Sequence, residues 1–153
     1  MVHVRDVMTT DVVTVGPAAT YGEIVDRLLA HDVSGLPVID PDGTLLGIVT
    51  EADLVSREAY GPDRRRPLGL IVDHLRDRDP AWVRKASATT ARDLMTHVVT
   101  TASPDDEVRV TARNMLESGH KRLPVVATDG RLIGIVSRRD VLAATALGAT
   151  DPA

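Results

Sequence analysis

Cysteine is absent from this chain of 153 residues, and so is phenylalanine. The first absence excludes disulfides, thiolate metal sites and a cysteine nucleophile, and it leaves the redox compartment open. The second, beside one Trp and two Tyr, leaves a core to be built from Val, Leu, Ile, Ala and four Met. Aromatic platforms for stacking bases are therefore scarce, and a net charge of −4 argues against nucleic-acid binding over the whole surface. Apolar runs such as "LLGIV" and "LIGIV" are five residues long, where a membrane helix needs about 20. "MVHVRDVMTT" carries charge where a secretory signal needs an apolar stretch. These readings predict a soluble, cytoplasmic protein of ordinary domain size, with no membrane contact.

Signatures of chemistry are also lacking. No nucleophile elbow, P-loop or GxGxxG occurs, and Ser34 and Ser137 have no evident base partner. The five His (His3, His31, His74, His97 and His120) show no metal-ligand spacing. The expectation is a non-enzyme with no catalytic residues, no metal and no required cofactor.

What the sequence does contain is itself, twice. Offset by 87 residues, Arg5-Asp6 falls on Arg92-Asp93, Met8-Thr9 on Met95-Thr96, and Pro17 on Pro104. "LPV" 36–38 falls on "LPV" 123–125, Asp42-Gly43 on Asp129-Gly130, and "GIVTEAD" 47–53 on "GIVSRRD" 134–140. Such self-similarity marks a tandem repeat. Each copy opens on a Val/Thr-rich stretch ("HVRDVMTTDVVTV", "ARDLMTHVVTT") that predicts extended chain.

A helix should follow. Thr20 and Glu23 form a capping-box pattern ahead of an apolar face of Ile24, Val25, Leu28 and Leu29. In the second copy Ser103-Pro104-Asp105-Asp106 reads as the helix start, Val108, Ala112, Met115 and Leu116 as its face, and Gly119 as its end. Two apolar strands joined by an Asp-Gly turn come next, and a second helix begins at Thr50 or Ser137. The fold class is α/β (α+β), each repeat running strand, helix, strand, strand, helix, with the two copies packed in pseudo-twofold symmetry. The boundaries are 1–56 for the first repeat, 57–90 for a linker and 91–153 for the second repeat with its tail. Within the linker, Leu70, Ile71, Val72 and Leu75 suggest a short helix broken at Pro80, after an exposed Arg64-Arg65-Arg66 loop.

The twice-written G-I-V-[TS]-x-x-D supports two readings. Thr50 or Ser137 can cap a helix, with Asp53 or Asp140 completing the box. Equally, a helix N-terminus, a hydroxyl and a carboxylate one turn on suit a phosphate and a ribose diol. Here the whole pattern, "MTTDVVTV…SGLPVIDPDGTLLGIVTEAD" and "MTHVVTT…HKRLPVVATDGRLIGIVSRRD", resembles a CBS domain pair, or Bateman module. The resemblance covers 4–56 and 91–143.

It implies an adenosine ligand (AMP, ADP, ATP or S-adenosylmethionine), with Asp53 and Asp140 on the ribose and Thr50 and Ser137 near phosphate. It also implies that Val33, Ser34 and Gly35 and their counterparts His120, Lys121 and Arg122 line adenine pockets closed by Thr9 and Thr96. Across the repeats, Asp140 is expected with Ser34 and Thr9, and Asp53 with Lys121 and Thr96. Lys121 and Arg122 would rim one cleft and Arg138 and Arg139 the other, favouring phosphorylated ligands over adenosine. The resemblance further implies a homodimer signalling to an effector protein. The alternative reading is a ligand-free interaction module whose motifs are only helix caps.

Overall fold

The computed structural model describes residues 1–60, 90–97 and 99–148. The expected linker helix, its turn, Arg64 to Arg66 and the end of the tail lie outside these residues. Two compact units emerge: unit 1 is Met1–Val12, Pro41–Leu45 and Val98–Ala153, and unit 2 is Val13–Asp40 and Leu46–His97. Each unit thus combines the hairpin strands and helices of one repeat with the lead segment of the other.

The lead segments are not the extended stretches that their Val and Thr content predicts. Each begins with one helical turn, α1 (Val4–Val7) before Met8-Thr9, with a counterpart before Met95-Thr96. An acidic residue three positions into each turn explains why. Asp6 accepts from the His3 amide at 2.9 Å, and Asp93 accepts from the Thr90 hydroxyl at 3.0 Å. That local bond closes a turn before strand propensity can act.

Beyond the turn the chain makes single bridges instead of a strand. Thr9 pairs with Ile135 and Ala102 with Val125 in unit 1; Thr96 pairs with Ile48 and Val15 with Val38 in unit 2. Both units therefore lay four extended pieces side by side in the same order.

The central pair in unit 2 is β1 (Gly35–Ile39) and β2 (Leu45–Thr50), and in unit 1 it is β3 (Arg122–Val126) and β4 (Leu132–Ser137). β3 and β4 are antiparallel, with Leu123 opposite Val136 and Val125 opposite Gly134. Both Asp-Gly turns use a left-handed glycine, Gly43 at φ 86° and Gly130 at φ 84°, a region where an L side chain is strained.

Of the longer helices, α2 (Tyr21–His31) begins as its sequence predicts: the Glu23 amide donates to Thr20 Oγ1 and Glu23 Oε2 accepts from the Thr20 amide. α3 (Glu51–Tyr60) follows β2 directly. In the other repeat, α4 (Ala91–Leu94) is the lead turn already described, α5 (Val108–Ser118) follows it, and α6 (Arg138–Gly148) leaves β4.

α5 starts later than expected, because Ser103 to Asp106 closes its own turn: the Ser103 amide donates to Asp106 Oδ2 at 2.9 Å. Gly119 ends α5 at φ 73°, as expected. Two residues placed on the apolar faces are in fact exposed, Leu29 at 77% and Leu116 at 75%, while Thr111 is fully buried. On α5 the inward row is Val108, Thr111 and Met115, one position round from the predicted face.

Each unit has its own core. Val15, Ile24, Leu28, Leu36, Val38 and Val49 fill unit 2 with Ala91, Leu94 and Met95 of the lead segment. Ala102, Met115, Leu123, Val125 and Val136 fill unit 1 with Val4 of its lead segment. A fully buried aliphatic side chain of this kind contributes about 1.5–3 kcal/mol, so the exchanged segment is structural in both.

Candidate functional site

Residues 47–53 and 134–140 span the passage from strand to helix, β2 into α3 and β4 into α6. The glycine that opens each motif has a steric cause. A Cβ on Gly47 would lie 2.5 Å from the Thr96 carbonyl oxygen and 2.8 Å from Met95 Sδ. On Gly134 it would lie 2.7 Å from Met8 Sδ and 3.0 Å from the Thr9 carbonyl oxygen. Only a residue without a side chain lets the Met-Thr lead segment cross the strand this closely. The crossing is held by paired bonds, Thr9 N–H to Ile135 O and Ile135 N–H to Thr9 O, both at 2.9 Å. In unit 2, Thr96 N–H donates to Ile48 O at 2.8 Å and Ile48 N–H to Thr96 O at 3.2 Å.

The carboxylate turns back onto the helix start in both copies, and in the second copy the capping box is reciprocal. The Thr50 amide and hydroxyl donate to Asp53 Oδ2 at 2.9 and 3.2 Å. The Ser137 amide and hydroxyl donate to Asp140 Oδ2 at 2.7 and 2.9 Å, and the Asp140 amide donates back to Ser137 Oγ at 3.2 Å. Asp53 is buried, with 7% of its surface exposed, whereas Asp140 is half-buried. These bonds do not exhaust a carboxylate, which offers about four lone-pair positions. The cap engages Oδ2, and among the described residues Asp140 Oδ1 accepts no hydrogen bond. In Asp140 capping therefore fixes the rotamer and leaves Oδ1 for a second donor.

The segments before "LPV" sit against the same helix starts. Ser34 O accepts from the Glu51 amide at 2.9 Å, and Lys121 O accepts from the Arg138 amide at 3.0 Å. The first helical amide, expected to be open to a phosphate, is thus already used, and side chains must supply most of the positive charge. Thr9 and Asp140 share unit 1, and Thr96 and Asp53 share unit 2, as their expected pairing requires. Ser34 belongs to the unit of Asp53 and Lys121 to that of Asp140.

Lys121, Arg138 and Arg139 are exposed and Arg122 is half-buried, all four within unit 1. Among the described residues none of them forms an ion pair. The corresponding positions of unit 2 are Ser34, Glu51, Ala52 and Gly35. Val33 is half-buried beside Ser34, and His120 is exposed beside Lys121. The sequence reading did not give Gly47, Gly134, Met8 and Met95 a role here. Their identity in both copies at one spacing was the available signal.

The model of the CBS domain matches residues 4–60 and 91–146. MJ1426 of Methanocaldococcus jannaschii is 34% identical over 132 residues, covering 80% of this chain and 79% of that protein. CBSX2, a chloroplastic CBS domain-containing protein of Arabidopsis thaliana, is 31% identical over 139 residues, 85% of this chain and 57% of its own length. A crystal structure of CBSX2 in complex with AMP superposes with a TM-score of 0.77 at 29% identity, covering 97% of this chain and 99% of that one.

Proposed function

The chain belongs to the CBS-domain family, with two domains in tandem, and from that premise we propose that it is a regulatory module that binds an adenine nucleotide. The observation that carries this reading is the duplicated junction: a capped carboxylate held in one rotamer, a hydroxyl at the helix start, and a threonine segment laid against the adjoining strand. The AMP complex of CBSX2 supports the ligand class. Asp140 Oδ1 would accept from ribose hydroxyls, and the four basic side chains near α6 favour phosphorylated ligands, since charge-assisted bonds are roughly twice as strong as neutral ones.

The test is thermal unfolding with AMP, ADP, ATP and S-adenosylmethionine. A ligand at a hundred times its dissociation constant adds about 2.7 kcal/mol, a rise in midpoint of about 5–10 °C for this size. No rise with any of the four contradicts the proposal.

A second reading, a ligand-free interaction module, is favoured by one observation: both carboxylates turn back onto their own helix amides. Under it, replacing Asp140 lowers stability and changes no nucleotide affinity.

The assembly we propose is a homodimer acting through an effector protein. Leu29 and Val55 in unit 2 are 77% and 65% exposed, and Leu116 and Leu142, the residues 87 positions on, are 75% and 68% exposed. One apolar pair written on both repeats suits a self-complementary contact, in which each patch meets a copy. Sedimentation of Leu29→Asp/Leu116→Asp should show monomer where the unaltered chain shows dimer. Among the described residues no helix is long and apolar enough to cross a membrane.

A further inference from the structure

We propose that Met8 is a site of reversible oxidation that controls how firmly the Thr9 segment is held in unit 1. The inference goes beyond nucleotide binding and stands without it. Two methionines occupy equivalent places, each with its sulfur against a motif glycine: a Cβ on Gly134 would lie 2.7 Å from Met8 Sδ, and one on Gly47 would lie 2.8 Å from Met95 Sδ. Their access to solvent differs. Met95 is 5% exposed and sits within the core of unit 2, whereas Met8 is half-buried and packs at the edge of the core of unit 1 with Val7, Ile133 and Val141. The Met8 side chain therefore meets solvent where that of Met95 does not.

The oxidant is a peroxide. The thioether sulfur donates an electron pair to one peroxide oxygen, the O–O bond breaks as the S–O bond forms, and the other oxygen leaves as water after proton transfer. The product is a sulfoxide, which turns an apolar side chain into a polar one and is reversible by methionine sulfoxide reductases.

The consequence follows from what Met8 adjoins. The next residue, Thr9, is tied to β4 by the two 2.9 Å bonds to Ile135, and Gly134 lies beneath both Met8 Sδ and the Thr9 carbonyl. A polar sulfoxide is poorly accommodated against Gly134 and the apolar side chains of Val7, Ile133 and Val141. It turns outward and draws Met8, and with it Thr9, away from β4. The segment that the nucleotide reading has closing the adenine pocket would then be loose in unit 1 and intact in unit 2.

The experiment treats the full chain with dilute hydrogen peroxide, maps sulfoxide by peptide mass, and follows amide exchange at Thr9 and Ile135. Met1, 85% exposed, reports that the oxidant has acted. The expected result is sulfoxide at Met1 and Met8 with Met95 and Met115 reduced, and exchange at Ile135 at least tenfold faster, restored by a reductase. Met8→Leu keeps the apolar contact, and its exchange should be unchanged by peroxide. Met8 staying reduced while Met1 is consumed overturns the proposal. So does equal oxidation of Met95, or a Met8 sulfoxide that leaves Ile135 exchange unaltered. None of these readouts involves nucleotide, so they stand or fall apart from the proposed function.

Discussion

Units 1 and 2 have the same architecture but differ in polarity at the places that matter. Their cores correspond residue for residue at the repeat spacing: Val15 with Ala102, Leu28 with Met115, Leu36 with Leu123, Val38 with Val125, Val49 with Val136. At the helix start they part. Unit 1 gathers Lys121, Arg122, Arg138 and Arg139 there, and unit 2 has Ser34, Gly35, Glu51 and Ala52. A duplicated scaffold preserves what packing demands, because a core tolerates few changes of volume. It leaves free what faces water. The difference between the units is therefore one of charge around the helix start, with fold held constant.

The largest effect that would test the equivalence of the scaffolds is at the motif glycines. Gly47→Ala meets a backbone oxygen at 2.5 Å, while Gly134→Ala meets one at 3.0 Å and otherwise the movable sulfur of Met8. Overpacking costs about 1–3 kcal/mol. Denaturant unfolding should place Gly47→Ala near the top of that range and Gly134→Ala near the bottom, and equal losses would mean that the two crossings are alike.

A smaller effect concerns a core position where the units disagree in polarity. Ile24 in unit 2 is matched by Thr111 in unit 1, fully buried and, among the described residues, with no hydrogen-bond partner for its Oγ1. An unsatisfied buried hydroxyl costs about 1–3 kcal/mol. Thr111→Val should raise stability by about 1 kcal/mol, and Ile24→Thr should lower it by more. A destabilised Thr111→Val would show that the hydroxyl is satisfied after all.

The smallest effect belongs to unit 2 alone. Arg57 stacks on the Tyr21 ring 4.1 Å from its centre, and the Tyr21 hydroxyl donates to Glu58 at 2.8 Å. Unit 1 has Val108, Ala144 and Thr145 at the matching positions. Burial first, and then the bond to Glu58, holds the Tyr21 hydroxyl above its ordinary pKa of 10.0. The folded state thus keeps the proton more tightly than the unfolded chain. This contribution is complete below pH 10.0 and is lost as pH rises beyond it. Tyr21→Phe should flatten the alkaline fall in melting temperature, and an unchanged slope would remove Tyr21 from the account.

Much of this was legible in residues. The 87-residue offset predicted the duplication, Thr20 with Glu23 predicted the start of α2, Gly119 the end of α5, and the paired Asp-Gly turns the hairpins. The failures have local causes. The lead segments read as extended because propensity sums Val and Thr, whereas Asp6 and Asp93 close a helical turn by a side-chain bond that such sums ignore. Leu29 and Leu116 read as core because periodicity records apolar character without knowing which elements a helix meets. The exchange of lead segments between repeats could not be read from the repeat pattern; it entered through the CBS resemblance, as the expected pairing of Thr9 with Asp140 and of Thr96 with Asp53. Either pairing satisfies the same pattern, and only the glycines at 47 and 134, needed for a close crossing, hinted that some chain must pass there.

At the candidate site the residue types were legible, but the gathering of the two basic pairs in one unit was not. Thr50 with Asp53 and Ser137 with Asp140 were identified from spacing alone. The gathering of both basic pairs in unit 1 rests on a backbone bond from Arg138 to Lys121, which joins positions 17 apart in sequence.

The proposal that unit 1 binds a phosphorylated nucleotide is tested most directly by calorimetric titration of ATP into the unaltered chain, Asp140→Ala and Asp53→Ala. The account predicts that Asp140→Ala loses about 2–3 kcal/mol of binding, as expected for a charged acceptor, while Asp53→Ala leaves the tight ATP site intact. ATP affinity untouched by Asp140→Ala, or abolished by Asp53→Ala alone, would contradict it.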